Sequence, residues 1–252
     1  MADWNDPRST RQGFGVSPSL DGRVAARPTF DAGLRRHMLS IYNSMASGVL
    51  LSGIVALLMF TSGMAAAMFF SPLRWLVALS PIAIVFAMSW GANRIQTGTM
   101  KALFWAFAVL MGMSLSTIFL VYTGPSIAAT FFATAGAFAG LSLYGYTTKR
   151  ELSGFGTFLI MGVIGLFFAT LLNMALVWMG INNPGLYWAI SFIGVLIFAG
   201  LTAYNTQMLK RMYYATPREF AAKAVVLGAL QLYLDFINMF LFLLRFMGNS
   251  RN

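Results

Sequence analysis

Leu232-Tyr233-Leu234-Asp235-Phe236-Ile237-Asn238 lies within an apolar run from Lys223 to Gly248. Of the 7 acidic residues in the chain, only Asp235 falls inside a hydrophobic segment. Asp3, Asp6, Asp21 and Asp31 precede the apolar part, and Glu151 and Glu219 lie in short polar connections. An ionisable side chain near a bilayer centre costs roughly 2.5–3.5 kcal/mol on insertion scales, and such residues mark functional sites by default. Gln231, Asp235, Asn238 and Arg245 are spaced four, three and seven residues apart, which puts them on one helical face with Gly228. Such a face predicts a helix turned toward a bundle interior or a wet cavity. A structural hydrogen-bond network and an ion pathway both account for it.

The rest of the chain makes a membrane the solvent. The 252 residues are 58% hydrophobic and 10% charged, against about 25% charged in an ordinary soluble domain. The absence of cysteine excludes disulfides, thiol catalysis and cysteine-held metals. A net charge of +10 is explained by basic loops on one side of a membrane, and no basic groove pattern points to nucleic acid.

Residues 1–28 are polar, rich in Gly, Pro and Arg, and predict a disordered cytoplasmic tail without the apolar core of a signal peptide. Phe30, Leu34, Met38 and Ile41 recur at helical spacing opposite Asp31, Arg35 and Arg36. That pattern fits an interfacial helix or a plain juxtamembrane linker. Residues 29–252 then form the membrane domain. Seven segments, at about 44–63, 73–92, 101–122, 126–146, 156–179, 187–206 and 223–247, approach the ~20 residues that cross the hydrocarbon core. The weakest boundary follows the first, because Met64 to Phe70 is itself apolar. Fourteen of the 17 basic residues fall in the tail and the second, fourth and sixth connections; Arg74, Arg245 and Arg251 fall opposite. The positive-inside rule therefore predicts a cytoplasmic amino terminus and, after seven crossings, an external carboxyl terminus.

Gly136 and Gly140 form a GxxxG pair, and Gly154, Gly162, Gly165 and Gly194 offer further close contacts between helices. Thr202, Tyr204, Asn205, Thr206 and Gln207 lie near the cytoplasmic end of the sixth segment. Asn205 can hydrogen-bond a carboxyl group or offer a carbonyl oxygen to a cation. Asn173, Ser89, Asn93 and Arg94 are candidates for the same cavity. Catalysis is not expected. His37, the single histidine, precedes the first crossing; no HExxH helix, nucleophile elbow or intramembrane acid pair is present. A transporter built on inverted repeats or paired broken helices is not visible either.

Four stretches in order resemble the Bax inhibitor-1-like family in its bacterial inner-membrane branch. They are Phe30-Asp31-Ala32-Gly33-Leu34-Arg35 with Tyr42-Asn43-Ser44-Met45, Ser142 to Ser153, Phe198-Ala199-Gly200-Leu201-Thr202-Ala203-Tyr204, and Leu232 to Asn238. The resemblance spans residue 29 to the end. It implies an all-α integral membrane fold whose last helix is surrounded by the other six, in keeping with the polar face. It also implies a pH-sensitive calcium leak for some members and regulation of a membrane-bound AAA protease for some bacterial ones. The flexible tail is a plausible handle for such a protease.

One position departs from the family pattern. An aspartate usually follows Thr-Ala-Tyr and pairs with the aspartate of the last helix; here Asn205 stands there. Two close carboxylates cannot both ionise cheaply and titrate as a unit. One carboxylate and one amide cannot act so, and burial and an approaching Arg94 or Arg245 pull the protonation of Asp235 in opposite senses. Calcium takes six to eight oxygens, commonly several from carboxylates. Asp235 with Asn205, Gln231 and Asn238 therefore predicts at most a weak calcium site, no tightly bound cofactor, and a feebler or less pH-dependent leak than the family pattern suggests.

Overall fold

The computed structural model describes residues 31–92 and 94–251. The expected disordered tail, Phe30 and Asn93 lie outside the described residues. The chain from Gly33 onward forms one compact unit. Its helices are α1 (Ala32–Thr61), α2 (Met64–Phe70), α3 (Leu73–Gly91), α4 (Thr97–Leu115), α5 (Ile118–Val121), α6 (Gly124–Thr147), α7 (Ser153–Trp178), α8 (Pro184–Ala215) and α9 (Ala221–Met247). A 3-10 turn at Arg218–Phe220 leads into α9. Seven spans are long and apolar enough to cross a membrane, with α4 and α5 together making one of them. Phe70, Trp90 and Trp178 are at least 84% exposed. On spans of this length and hydropathy, such exposed apolar side chains suit contact with lipid. Trp75, Trp178 and Trp188 are exposed near the ends of α3, α7 and α8, where aromatic belts meet the headgroups.

The helix ends follow local chemistry. Gly180, with φ +81°, ends α7. The Gly180 amide donates to the Val177 carbonyl at 3.0 Å and the Ile181 amide to the Leu176 carbonyl at 2.9 Å. These two bonds make a Schellman cap. Asn183 then caps α8, its side-chain oxygen accepting from the Leu186 amide at 3.1 Å, with Pro184 in the first turn. Gly63, with φ +76°, turns the chain between α1 and α2. The apolar stretch at the doubtful first boundary is thus the short helix α2.

Three expected boundaries move. The supposed interfacial stretch is the first part of α1, because Leu34, Met38 and Ile41 are buried against the bundle and have no need of a lipid surface. The third crossing breaks at Ser116-Thr117, where the Ser116 hydroxyl donates to the Met113 carbonyl and the Thr117 hydroxyl to that of Ser114. The sixth runs on to Ala215. Its polar continuation carries no proline before Pro217, and Leu209 there is buried. At 1.5 Å per residue its 32 residues reach about 48 Å, well beyond a hydrocarbon core of about 30 Å.

Thirteen of the 27 residues of α9 are buried, against three of 19 in α3 and three of 26 in α7. α9 packs chiefly on α8, α6 and α4, and α1 joins it through Ser52 and Ile41. α7 lies mainly on α8, and α3 mainly on α4. The glycine expectation needs correction. Gly162 and Gly194 approach Ile197 and Phe242, but a side chain at Gly136, Gly140, Gly154 or Gly165 would meet open space. The closest backbone approaches fall elsewhere. A Cβ at Gly145 would collide with the Ala203 carbonyl, and one at Gly112 would lie 2.6 Å from the Ser52 carbonyl.

Candidate functional site

Asp235 sits in the interior half of α9, 4% exposed. α8 crosses it at Asn205, which is equally buried. The Asn205 amide nitrogen donates to the Asp235 carboxylate at 2.7 Å. Gln231, one turn before Asp235 on the same face, donates its own amide nitrogen to the Asn205 oxygen at 2.8 Å. Both polar ends of the Asn205 amide are therefore used. The oxygen is held by Gln231, so the nitrogen must face the carboxylate. The 2.7 Å bond is of charge-assisted length while Asp235 is ionised.

The remaining expected members are not in this chain of bonds. Asn238 turns its amide nitrogen back to the Leu234 carbonyl at 2.8 Å, a bond within its own helix. Arg245 is exposed with its guanidinium 5.6 Å from the Phe242 ring centre, and ten residues of helix put it about 15 Å along the axis from Asp235. Arg94 is exposed in the α3–α4 turn. Neither arginine forms an ion pair with Asp235. Ser89 is exposed, Asn173 is half-buried on α7, and Thr202 bonds the Phe198 carbonyl of its own helix. The structure brings Asp235, Asn205 and Gln231 together and leaves the others apart.

A resident calcium site does not fit these groups. Asp235 is the only carboxylate of the cluster, and the Asn205 oxygen is already accepting from Gln231. No group of three His, Cys, Asp or Glu side chains occurs among the described residues. A cation reaching this cluster would meet a single carboxylate, well short of the several that calcium commonly takes.

Two polar arrangements were not anticipated. Ser52 of α1 is fully buried, and its oxygen lies 2.7 Å from the Tyr233 hydroxyl, 2.6 Å from the Ala108 carbonyl and 3.0 Å from the Gly48 carbonyl. This ties α1, α4 and α9 at one point, two residues before Asp235. Gln207, expected near the cavity, instead clamps the α6–α7 connection. Its nitrogen donates to the Arg150 carbonyl at 2.8 Å, and its oxygen accepts from the Leu152 amide at 2.9 Å. Arg211 reaches the same oxygen at 3.2 Å and pairs with Glu151 at 2.8 Å. The only signal in the sequence was that the run from Gln207 to Arg211 contains no helix breaker.

Fold and site together define an all-α multi-pass membrane protein with one buried acid among the described residues, held by the Asn205 amide. Residues 34–252 match the family described as Inhibitor of apoptosis-promoting Bax1. The chain belongs to the Bax inhibitor-1 family. It is 44% identical over 239 residues to the Inner membrane protein YbhL of Escherichia coli, covering 93% of this chain and 98% of that one. It is 45% identical over 235 residues to an uncharacterized protein of Rickettsia prowazekii, covering 89% of this chain and 94% of the other. A protein of Caulobacter vibrioides is 44% identical over 235 residues, with 88% and 91% covered.

Proposed function

We propose that this protein mediates a pH-modulated cation leak, with calcium as cargo, through a path governed by Asp235 and Asn205. The observation that carries this reading is the buried Asp235 carboxylate, held across the α8–α9 contact by the Asn205 amide at 2.7 Å without a basic partner. An acid so placed is seldom kept for stability alone, and within membranes such groups mark ion and proton paths. The name of the YbhL relative supports a bacterial inner membrane as the location, and the distribution of basic residues supports a cytoplasmic amino terminus.

The arrangement couples charge to contact. While Asp235 is ionised, the Asn205 bond is charge-assisted and α8 is held against α9. When Asp235 is protonated, that bond becomes one between neutral groups and the new O–H needs an acceptor, while the Asn205 oxygen is turned toward Gln231 and its nitrogen toward Asp235. Proton uptake therefore loosens the contact and at the same time removes the charge that attracts a cation. With one carboxylate in place of two, the response to pH is shallow.

Calcium flux into liposomes, followed over a pH series, tests this. Asp235→Asn should lower flux by about tenfold, equivalent to about 1.4 kcal/mol of barrier, while melting behaviour is kept. Asn205→Asp should steepen the pH response, because two facing carboxylates must share a proton. Undiminished flux in Asp235→Asn removes Asp235 from the path. An equally steep response with Asn205 and with Asn205→Asp overturns the coupling argument.

A further inference from the structure

Away from Asp235, a cavity of about 540 Å³ opens between α6, α7 and α8, at the end of the bundle that carries Lys149, Arg150, Lys210 and Arg211. Its volume falls within the ~300–1,000 Å³ of sites that hold small organic ligands. The floor is formed by Ala199, Gly200 and Ala203, which share one face of α8. Leu141 of α6 and Leu159 of α7 stand on either side, and the half-open wall is completed by the exposed ring of Phe155. These small residues make the depth. A Cβ at Gly200 would lie 2.8 Å from the Leu159 side chain, so the floor is already as close to α7 as a glycine permits.

The mouth has the opposite character. Arg150, Glu151 and Leu152 border it. Glu151 is paired with Arg211 at 2.8 Å, which offsets the one negative charge at the rim. The exposed Arg150 side chain has no hydrogen-bond or ion-pair partner among the described residues, and Lys149 beside it is exposed too. The backbone that presents Arg150 is not loose, because Gln207 holds the Arg150 carbonyl and the Leu152 amide together. An apolar trough with a fixed cationic rim, open sideways from a lipid-exposed layer, matches a molecule with a hydrocarbon chain and an anionic head. Basic pockets between membrane helices bind lipid headgroups on this principle, and guanidinium is suited to phosphate because it can donate two parallel bonds.

We propose that this groove binds one anionic membrane phospholipid, an acyl chain lying on Ala199, Gly200 and Ala203 and the phosphate facing Arg150 and Lys149. The site is independent of the ion path, since Asn205 lies on a different face of α8 and meets α9. Binding of phosphatidylglycerol and of phosphatidylcholine with identical acyl chains can be compared by native mass spectrometry of the detergent-purified full chain. The unaltered protein should retain one phosphatidylglycerol in preference to phosphatidylcholine. Arg150→Gln, an exposed and structurally mild change, should weaken that binding about fivefold, the effect of one basic residue facing anionic lipid. Ala199→Phe, which fills the trough and leaves the rim intact, should remove it, and equal melting temperatures would show that the variant is folded. Equal retention of the two lipids by the unaltered protein would mean ordinary annular lipid and overturn the proposal. So would unchanged binding in both variants. If Ala199→Phe instead converts a dimer to a monomer with lipid retention intact, the groove seats a second copy of the chain and the lipid assignment falls.

Discussion

Asn205 shows how much one amide can settle. It spends its oxygen on Gln231 and its nitrogen on Asp235, so its orientation is dictated from both sides. The Asn205–Asp235 pairing was legible only through the family resemblance, which sets a partner for the last-helix acid after Thr-Ala-Tyr, whereas helical spacing by itself put Gln231 and Asp235 on one face. The Ser52–Tyr233 contact was not legible. A hydroxyl in an apolar helix satisfies itself on its own preceding turn by default, as Thr202 does on Phe198, and nothing in the order of residues says which serine will cross to another helix. The pair makes an asymmetric prediction. Tyr233→Phe leaves Ser52 with the Ala108 and Gly48 carbonyls and should cost about 0.6 kcal/mol, the usual size of an interhelical bond in a membrane protein. Ser52→Ala strands a fully buried phenol hydroxyl and should cost about 1–3 kcal/mol. Unfolding in mixed detergent micelles measures both, and equal losses would show that the hydroxyl pair does not hold α1 against α9.

For the helices themselves, hydropathy is a sound guide to number and a poor guide to ends. All seven spans were legible because lipid obliges each crossing to satisfy its own backbone bonds over a fixed thickness. The Gly180 to Gly185 turn was legible because its cap chemistry is local. The far end of α8 was not, since Gln207 and Arg211 look like a connection until the loop they grip is known. Glycine spacing misled for a similar reason: it identifies a face but not whether that face is covered. Gly140 faces open space, and Gly145, five residues on, touches the backbone of α8. Gly145→Leu should therefore destabilise the bundle by about 1–3 kcal/mol through forced separation of α6 and α8. Gly140→Leu should change stability by less than about 0.5 kcal/mol. Thermal melts of the two variants in one detergent decide the matter; a larger loss at Gly140 would mean that the outward face of α6 is occupied in the membrane.

For the molecule as a whole, burial is distributed unevenly: α9 is mostly enclosed, and α3 and α7 mostly face outward. The burial of the last helix was legible in part, since its polar face demanded shelter, though the expectation of a helix surrounded by the other six did not convey that α9 packs chiefly on α8, α6 and α4. This burial bears on the order of synthesis. Chains emerge amino terminus first, so the most enclosed of the seven long helices is also the last of them to leave the ribosome. Until it arrives, Asn205 lacks both of the groups that satisfy it, and the faces of α4, α6 and α8 that will enclose it have only lipid or each other. The six earlier helices are then an unfinished assembly, exposed to quality-control proteolysis during every round of synthesis. A chain stopped at Thr216 should be degraded rapidly in cells, and co-expression of residues 217–252 as a separate segment should restore its half-life. A truncated chain as long-lived as the full one would show that the bundle closes without its last helix.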